Sequence, residues 1–150
     1  MKGIKIPSPD KIEAGKYRYR MGSTTQKDRW FSGPWSFEYD ALVLMKEFAE
    51  ETGLGLSYSG RAYLAVAYEW GTKCNVLVTA QVNSQLGIWA GEGLTIKDSG
   101  APEGVRLWRP PPVIKQIYIP GLWTTDRKQR EIWRDAFSYR SHEFLPSRRI

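Results

Sequence analysis

Three separated stretches of this 150-residue chain carry the side chains best suited to chemistry. In KYRYRMG, residues 16 to 22, Tyr17, Tyr19 and Met21 alternate with Lys16, Arg18 and Arg20. That is the two-residue period of a strand, so Arg18 and Arg20 share a face and lead into Gly22. In WFSGPW, residues 30 to 35, Trp30, Phe31 and Trp35 flank Ser32 and a Gly33-Pro34 turn that runs straight into a helix. In VIKQIYI, residues 113 to 119, Lys115, Gln116 and Tyr118 stand on a late strand. Brought together, these groups offer an arginine for a pyrophosphate, aromatic faces for a flat ring and an amide at a reacting sugar. Such a set is a dinucleotide site built without a Rossmann fold.

The same residues have plainer accounts, which the sequence leaves open. Arg18 and Arg20 on an edge strand are more often solvent-facing charges than ligand contacts. Trp30, Phe31 and Trp35 suit a hydrophobic core, Ser32 suits the turn before the helix, and Gln116 suits a strand surface.

Other chemistries find little support. One cysteine, Cys74, and one histidine, His142, cannot make an internal disulfide or a soft-ligand metal cluster, so no metal is expected. A nucleophilic triad would have to use His142 as its only imidazole. Neither GxxxxGK[ST] nor GxGxxG is present, and the GEG of residues 91 to 93 is too short to specify a phosphate loop. Carboxylates occur without an acid/base pairing, and Glu50 with Glu51 reads as a solvated helix end.

The elements that must position the three stretches read as α+β with a mainly antiparallel sheet. Residues 1 to 15 are expected to be an extended leader, 16 to 137 the core of a single domain, and 138 to 150 a basic tail. A helix is expected over 37 to 51, capped by Ser36, with Ala41, Leu44, Met45 and Phe48 at helical spacing and Gly53 as its stop. Residues 61 to 70 lean towards a second, short helix. NVLVTAQV and QLGIWAG read as neighbouring strands, followed by short strands over 105 to 108 and 113 to 119 on either side of Pro110, Pro111 and Pro112. A C-terminal helix capped by Thr125 would bury Ile132, Trp133, Ala136 and Phe137. No apolar run is long enough to span a membrane.

The order of these motifs, YRxG, then an aromatic-Phe-Ser before a helix, then VLVTAQV, LxxWxGEG and QIYIPG, resembles the ADP-ribosyltransferase superfamily, especially its small bacterial toxin and effector domains. The likeness spans roughly residues 16 to 121. It implies a split antiparallel sheet, NAD as the substrate, and transfer of ADP-ribose to a macromolecular acceptor. Arg20 matches the first-strand residue that holds NAD, with Arg18 as the alternative; Trp30 and Ser32 match the second position and Gln116 the third. Cofactor contacts are implied for Arg18, Arg20, Gly22, Trp30, Phe31 and Tyr39, and catalytic roles for Arg20, Ser32 and Gln116. Gln116 departs from the glutamate usual there; an amide hydrogen-bonds a ribose hydroxyl but stabilises positive charge on the sugar less well.

Twenty-two basic against 16 acidic residues give a net charge of +6, which favours an anionic partner. With the altered third position, it points to a nucleic-acid acceptor in preference to a protein. The resemblance further implies a cytoplasmic site of action, delivery into a target cell within a larger secreted polypeptide, and an acidic immunity protein over the basic cleft. Two rival classes stay open. One is a non-enzymatic nucleic-acid-binding module stacking bases on Trp30, Trp35 or Trp89; the other is a phage or virion structural protein that self-associates.

Overall fold

The computed structural model describes residues 3–25, 27, 30, 35–70, 72–120, 128 and 135–145. Among the described residues nine strands and two α-helices follow one another as β1 (Ser8–Ile12), β2 (Tyr17–Gly22), β3 (Trp35–Ser36), α1 (Tyr39–Thr52), α2 (Leu56–Leu64), β4 (Val76–Val82), β5 (Leu86–Glu92), β6 (Ile96–Asp98), β7 (Arg106–Trp108), β8 (Lys115–Tyr118) and β9 (Phe137–Phe144). A 3-10 turn at Tyr68–Trp70 lies between α2 and β4. Every strand pair is antiparallel. The sheets run β1-β5-β8-β3, β2-β4-β9 and β6-β7. The expected α+β class with mainly antiparallel sheets is therefore present.

Hydrophobic alternation sets the layers. On β4, Val76, Val78, Ala80 and Val82 share one face. Val82 packs there with Ile12, Ile88, Ala90 and Ile117 from the four-stranded sheet, so an apolar layer joins the two larger sheets. On the opposite face of the three-stranded sheet, Met21 and Leu77 meet Ala41, Leu42 and Met45 of α1. A bridge at Tyr19 and Phe37 ties β2 to the residue after β3, through N–H to O=C bonds of 3.0 and 3.1 Å.

Several expected boundaries move, each for an identifiable reason. Ser36 does not cap α1, because β3 draws it into register with Ile117 and Phe37 is tied to Tyr19; Glu38 takes the cap position without a side-chain bond. Gly53, left-handed at φ 70°, ends the helix as expected by donating its N–H to the Ala49 carbonyl. The second helix comes earlier than residues 61 to 70 suggested. Its buried residues are Ser57, Tyr58, Ser59, Gly60 and Arg61, a largely polar face that an apolar period does not reveal. Gly60 permits this packing, since a Cβ there would lie 3.1 Å from the Met21 side chain, and Ser59 Oγ donates to the Met45 carbonyl at 2.6 Å.

The ends of the chain are corrected as well. Residues 8 to 12, read as leader, form β1 on the edge of the four-stranded sheet, with Ile12 in the apolar layer. Residues 137 to 144, divided between a helix and a tail, form β9 paired along β4. The expected C-terminal helix falls mostly outside the described residues, and Ala136 and Phe137, given to its apolar face, are turn and strand. A bulge opposite Thr79 and Ala80 breaks the two-residue alternation of β9 and conceals it in the sequence.

Candidate functional site

The register of β2 against β4 pairs Arg18 with Ala80, Arg20 with Val78 and Gly22 with Val76. Cross-strand partners share a face, so both arginines stand on the side where the two larger sheets meet. That burial separates them from the solvent-facing alternative. Arg18 is 4% exposed, and Arg20 is half-buried and donates from Nη1 to the Trp35 carbonyl at 3.0 Å.

Beside Arg20 a cavity of about 420 Å³ opens between β2, β3, β8 and the end of α2. Its walls include Arg20, Trp35, Ser36, Trp70 and Gln116, with an apolar side formed by Leu64, Ala65 and Val66. Gln116 is buried, and its Nε2 donates to the Tyr63 carbonyl at 3.2 Å, which fixes the amide against α2. Gly93 makes room for it: a Cβ there would come within 2.9 Å of Gln116 Cγ and 2.7 Å of Pro110 Cγ. The GEG stretch thus bears on the site through a missing side chain, without forming a phosphate loop.

A second, smaller cavity of about 20 Å³ lies between the sheets. Arg18, Trp30, Val78 and Phe137 line it, and it shares Arg20, Trp35 and Ser36 with the larger one. Arg18 Nη1 faces Glu38 Oε1 at 3.6 Å, an ion pair beyond hydrogen-bond reach. Burial pushes the Arg18 guanidinium below its ordinary pKa, against the opposing pull of Glu38. Arg18 Nε and Nη1 and Ser36 Oγ are buried with no hydrogen-bond partner among the described residues.

The wall beyond α2 is held by two buried charges. Arg61 donates from Nη1 to the Val66 carbonyl at 3.3 Å and from Nη2 to that of Thr72, and stacks 3.8 Å over the Tyr68 ring. Asp98, fully buried, accepts from Tyr68 N at 2.6 Å, Gly100 N at 3.0 Å and Trp108 Nε1 at 2.9 Å. Together they fix the stretch around Val66, Tyr68 and Thr72, and Ala65, Val66, Trp70 and Thr72 line the larger cavity. Cys74, fully buried nearby, has its thiol pKa raised by burial, with Arg61 and Arg20 opposing. Such a thiol is held protonated and is no nucleophile.

Of the residues singled out in the sequence, Arg20 and Gln116 reach the same cavity, together with Trp35. Trp30 does not line it; it is 5% exposed, packs on Val76 and Val78, and donates from Nε1 to the Ser23 carbonyl at 3.1 Å, the core role left open for it. Gly22 lies against that indole: a Cβ at Gly22 would stand 3.3 Å from Trp30 Cδ1. Tyr39 is 62% exposed on the first turn of α1, its ring 6.2 Å from Tyr19. Ser32 and Phe31 lie outside the described residues. Arg61 and Trp70 escaped the sequence reading, because one sits on a polar helix face and the other on a 3-10 turn.

Among the described residues no group of three or more His, Cys, Asp or Glu side chains could hold a metal ion, and no helix is long and apolar enough to cross a membrane. No family model, curated protein or solved structure matches this chain.

Proposed function

We propose that this chain is an NAD-dependent ADP-ribosyltransferase domain of the toxin or effector kind, with a nucleic-acid acceptor. The finer fold assignment, a split sheet of the ADP-ribosyltransferase type, belongs to the same proposal. One observation carries it: Arg20 on β2 and Gln116 on β8, 96 positions apart by their numbering, line a single cavity with Trp35. At about 420 Å³ that cavity falls in the range of small-ligand sites.

In this reading Arg20 pairs with the pyrophosphate, Trp35 and Trp70 flank the nicotinamide ring, and the Gln116 amide oxygen accepts from a ribose hydroxyl. The glycosidic C–N bond breaks, its electron pair passes to the ring nitrogen, and neutral nicotinamide departs. An acceptor lone pair then bonds the cationic sugar carbon, and the acceptor's proton goes to solvent. Catalysis comes from holding the cationic sugar in a largely apolar cavity with an oriented amide dipole beside it.

The test is nicotinamide release from NAD, followed by labelling of a lysate with NAD labelled in its adenylate half. The wild-type chain should release nicotinamide and label RNA or DNA. Arg20→Ala should lower release on the order of 100-fold, the weight of a charge-assisted contact; circular dichroism checks that losing the Trp35 bond has not unfolded β3. No release and no label in protein, RNA or DNA would end the proposal.

A further inference from the structure

The inward face of β9 carries four rings in register: Phe137 opposite Val82, Tyr139 opposite Ala80, His142 opposite Val78 and Phe144 opposite Val76. Only the first packs into the apolar layer between the sheets. Tyr139 is 50% and Phe144 64% exposed, and His142 is exposed between them. The rings form a continuous strip. His142 lies 5.0 Å from Phe144 and 5.9 Å from Tyr139 by ring centroids, and Trp30 backs it at 5.1 Å. The Lys27 ammonium stands 5.7 Å over the Trp30 ring. Arg140, at the bulge, is turned to the other face, where its Nε donates to Gln81 Oε1 at 2.9 Å. No aliphatic side chain is exposed on this face of β9, and Glu143 points to the other, opposite Leu77.

We infer that the Tyr139–His142–Phe144 strip of β9 binds single-stranded nucleic acid by stacking unpaired bases. Charge selects that occupant over a protein strand: the chain is +6, and Lys27 supplies a cation over the Trp30 ring that backs His142. Three exposed rings on a sheet face suit about two or three bases, and stacking accepts any base because each has a π-face. The strip also lies close to the cavity. Arg20, Val78 and His142 are successive neighbours across the sheet, so His142 is two strand spacings, roughly 10 Å, from Arg20. The inference rests on the transferase reading only in making the bound strand the acceptor.

Binding is measured by fluorescence anisotropy with labelled 12-nucleotide RNA and DNA single strands and the matching duplex, all without NAD. Single strands should bind at least about 10-fold tighter than the duplex, and Tyr139→Ala and Phe144→Ala should each weaken them roughly 5- to 100-fold, the range of base stacking on an aromatic ring. Both positions are exposed, so neither variant should disturb the fold. Arg20→Ala should bind strands like wild type, which separates failure of the NAD site from failure of this surface. Equal binding to duplex, wild-type binding by both aromatic variants, or no strand binding accompanied by self-association through β9 would overturn the inference.

Discussion

Arg18 is a charge whose removal should stabilise the protein. Its side chain is 5% exposed, whereas its partner Glu38 is 53% exposed at 3.6 Å, so the ion pair contributes no more than about 1 kcal/mol. Against that stand two buried N–H-bearing nitrogens, Nε and Nη1, without hydrogen-bond partners among the described residues, each costing about 1–3 kcal/mol. The adjoining cavity of about 20 Å³ has room for one water, and a water bonded to Arg18 and Ser36 would bring the balance to the lower end. Arg18→Met keeps the apolar stem and removes the buried charge, while Glu38 stays in contact with water and so is not left as a buried charge of its own; it should raise unfolding free energy by about 1–3 kcal/mol. The midpoint temperature should rise by about 2–4 °C for each kcal/mol in a domain of this size. Urea unfolding followed by tryptophan fluorescence measures it, with Arg18→Ala as the contrast that opens a cavity. A loss of more than about 1 kcal/mol in Arg18→Met would show that the guanidinium is well satisfied and the reasoning wrong. Nicotinamide release should change little, because Arg18 lines only the smaller cavity.

Two further substitutions address the walls of the larger cavity. Asp98→Ala strips the acceptor from Tyr68 N, Gly100 N and Trp108 Nε1 and should cost at least about 3 kcal/mol in urea unfolding; Asp98→Asn, which keeps an oxygen, should cost clearly less. Gly93→Ala drives a methyl against Gln116 and Pro110, and should cost about 1–3 kcal/mol while lowering nicotinamide release about 10-fold, by the misplacement of a positioned group. An unchanged release rate in folded Gly93→Ala would remove Gln116 from the reaction.

How much of the fold the sequence discloses depends on whether a segment's period is apolar and unbroken. VLVTAQV shows β4 because its buried face is apolar throughout, and α1 shows through Ala41, Leu44, Met45, Phe48 and the Gly53 stop. α2 is hidden by a buried face of Ser57, Ser59, Gly60 and Arg61, in which Ser59 and Arg61 find carbonyl partners visible only in three dimensions. β1 is hidden because four of its five residues are exposed and Pro9 sits where an edge strand tolerates it. β9 is hidden by its bulge, which moves His142 and Phe144 out of phase with Phe137 and Tyr139.

The site follows the same logic one level up. Alternation in YRYRMG places Arg18 and Arg20 together, but only the pairing of β2 with β4 decides that their shared face is the interior one. Their neighbours then divide them: Arg20 reaches the Trp35 carbonyl at the cavity, whereas Arg18 stops between the sheets facing Glu38. Gln116 owes its place to three distant features, the Tyr63 carbonyl that orients it, the hydrogen at Gly93 that admits it, and the β5–β8 register that sets it opposite Gly91. None of these is adjacent to it in the chain. A glutamine beside a lysine on a strand therefore reads as a surface residue until its partner strand is known, and the glycines of a three-residue GEG read as a turn until it is seen what they leave room for.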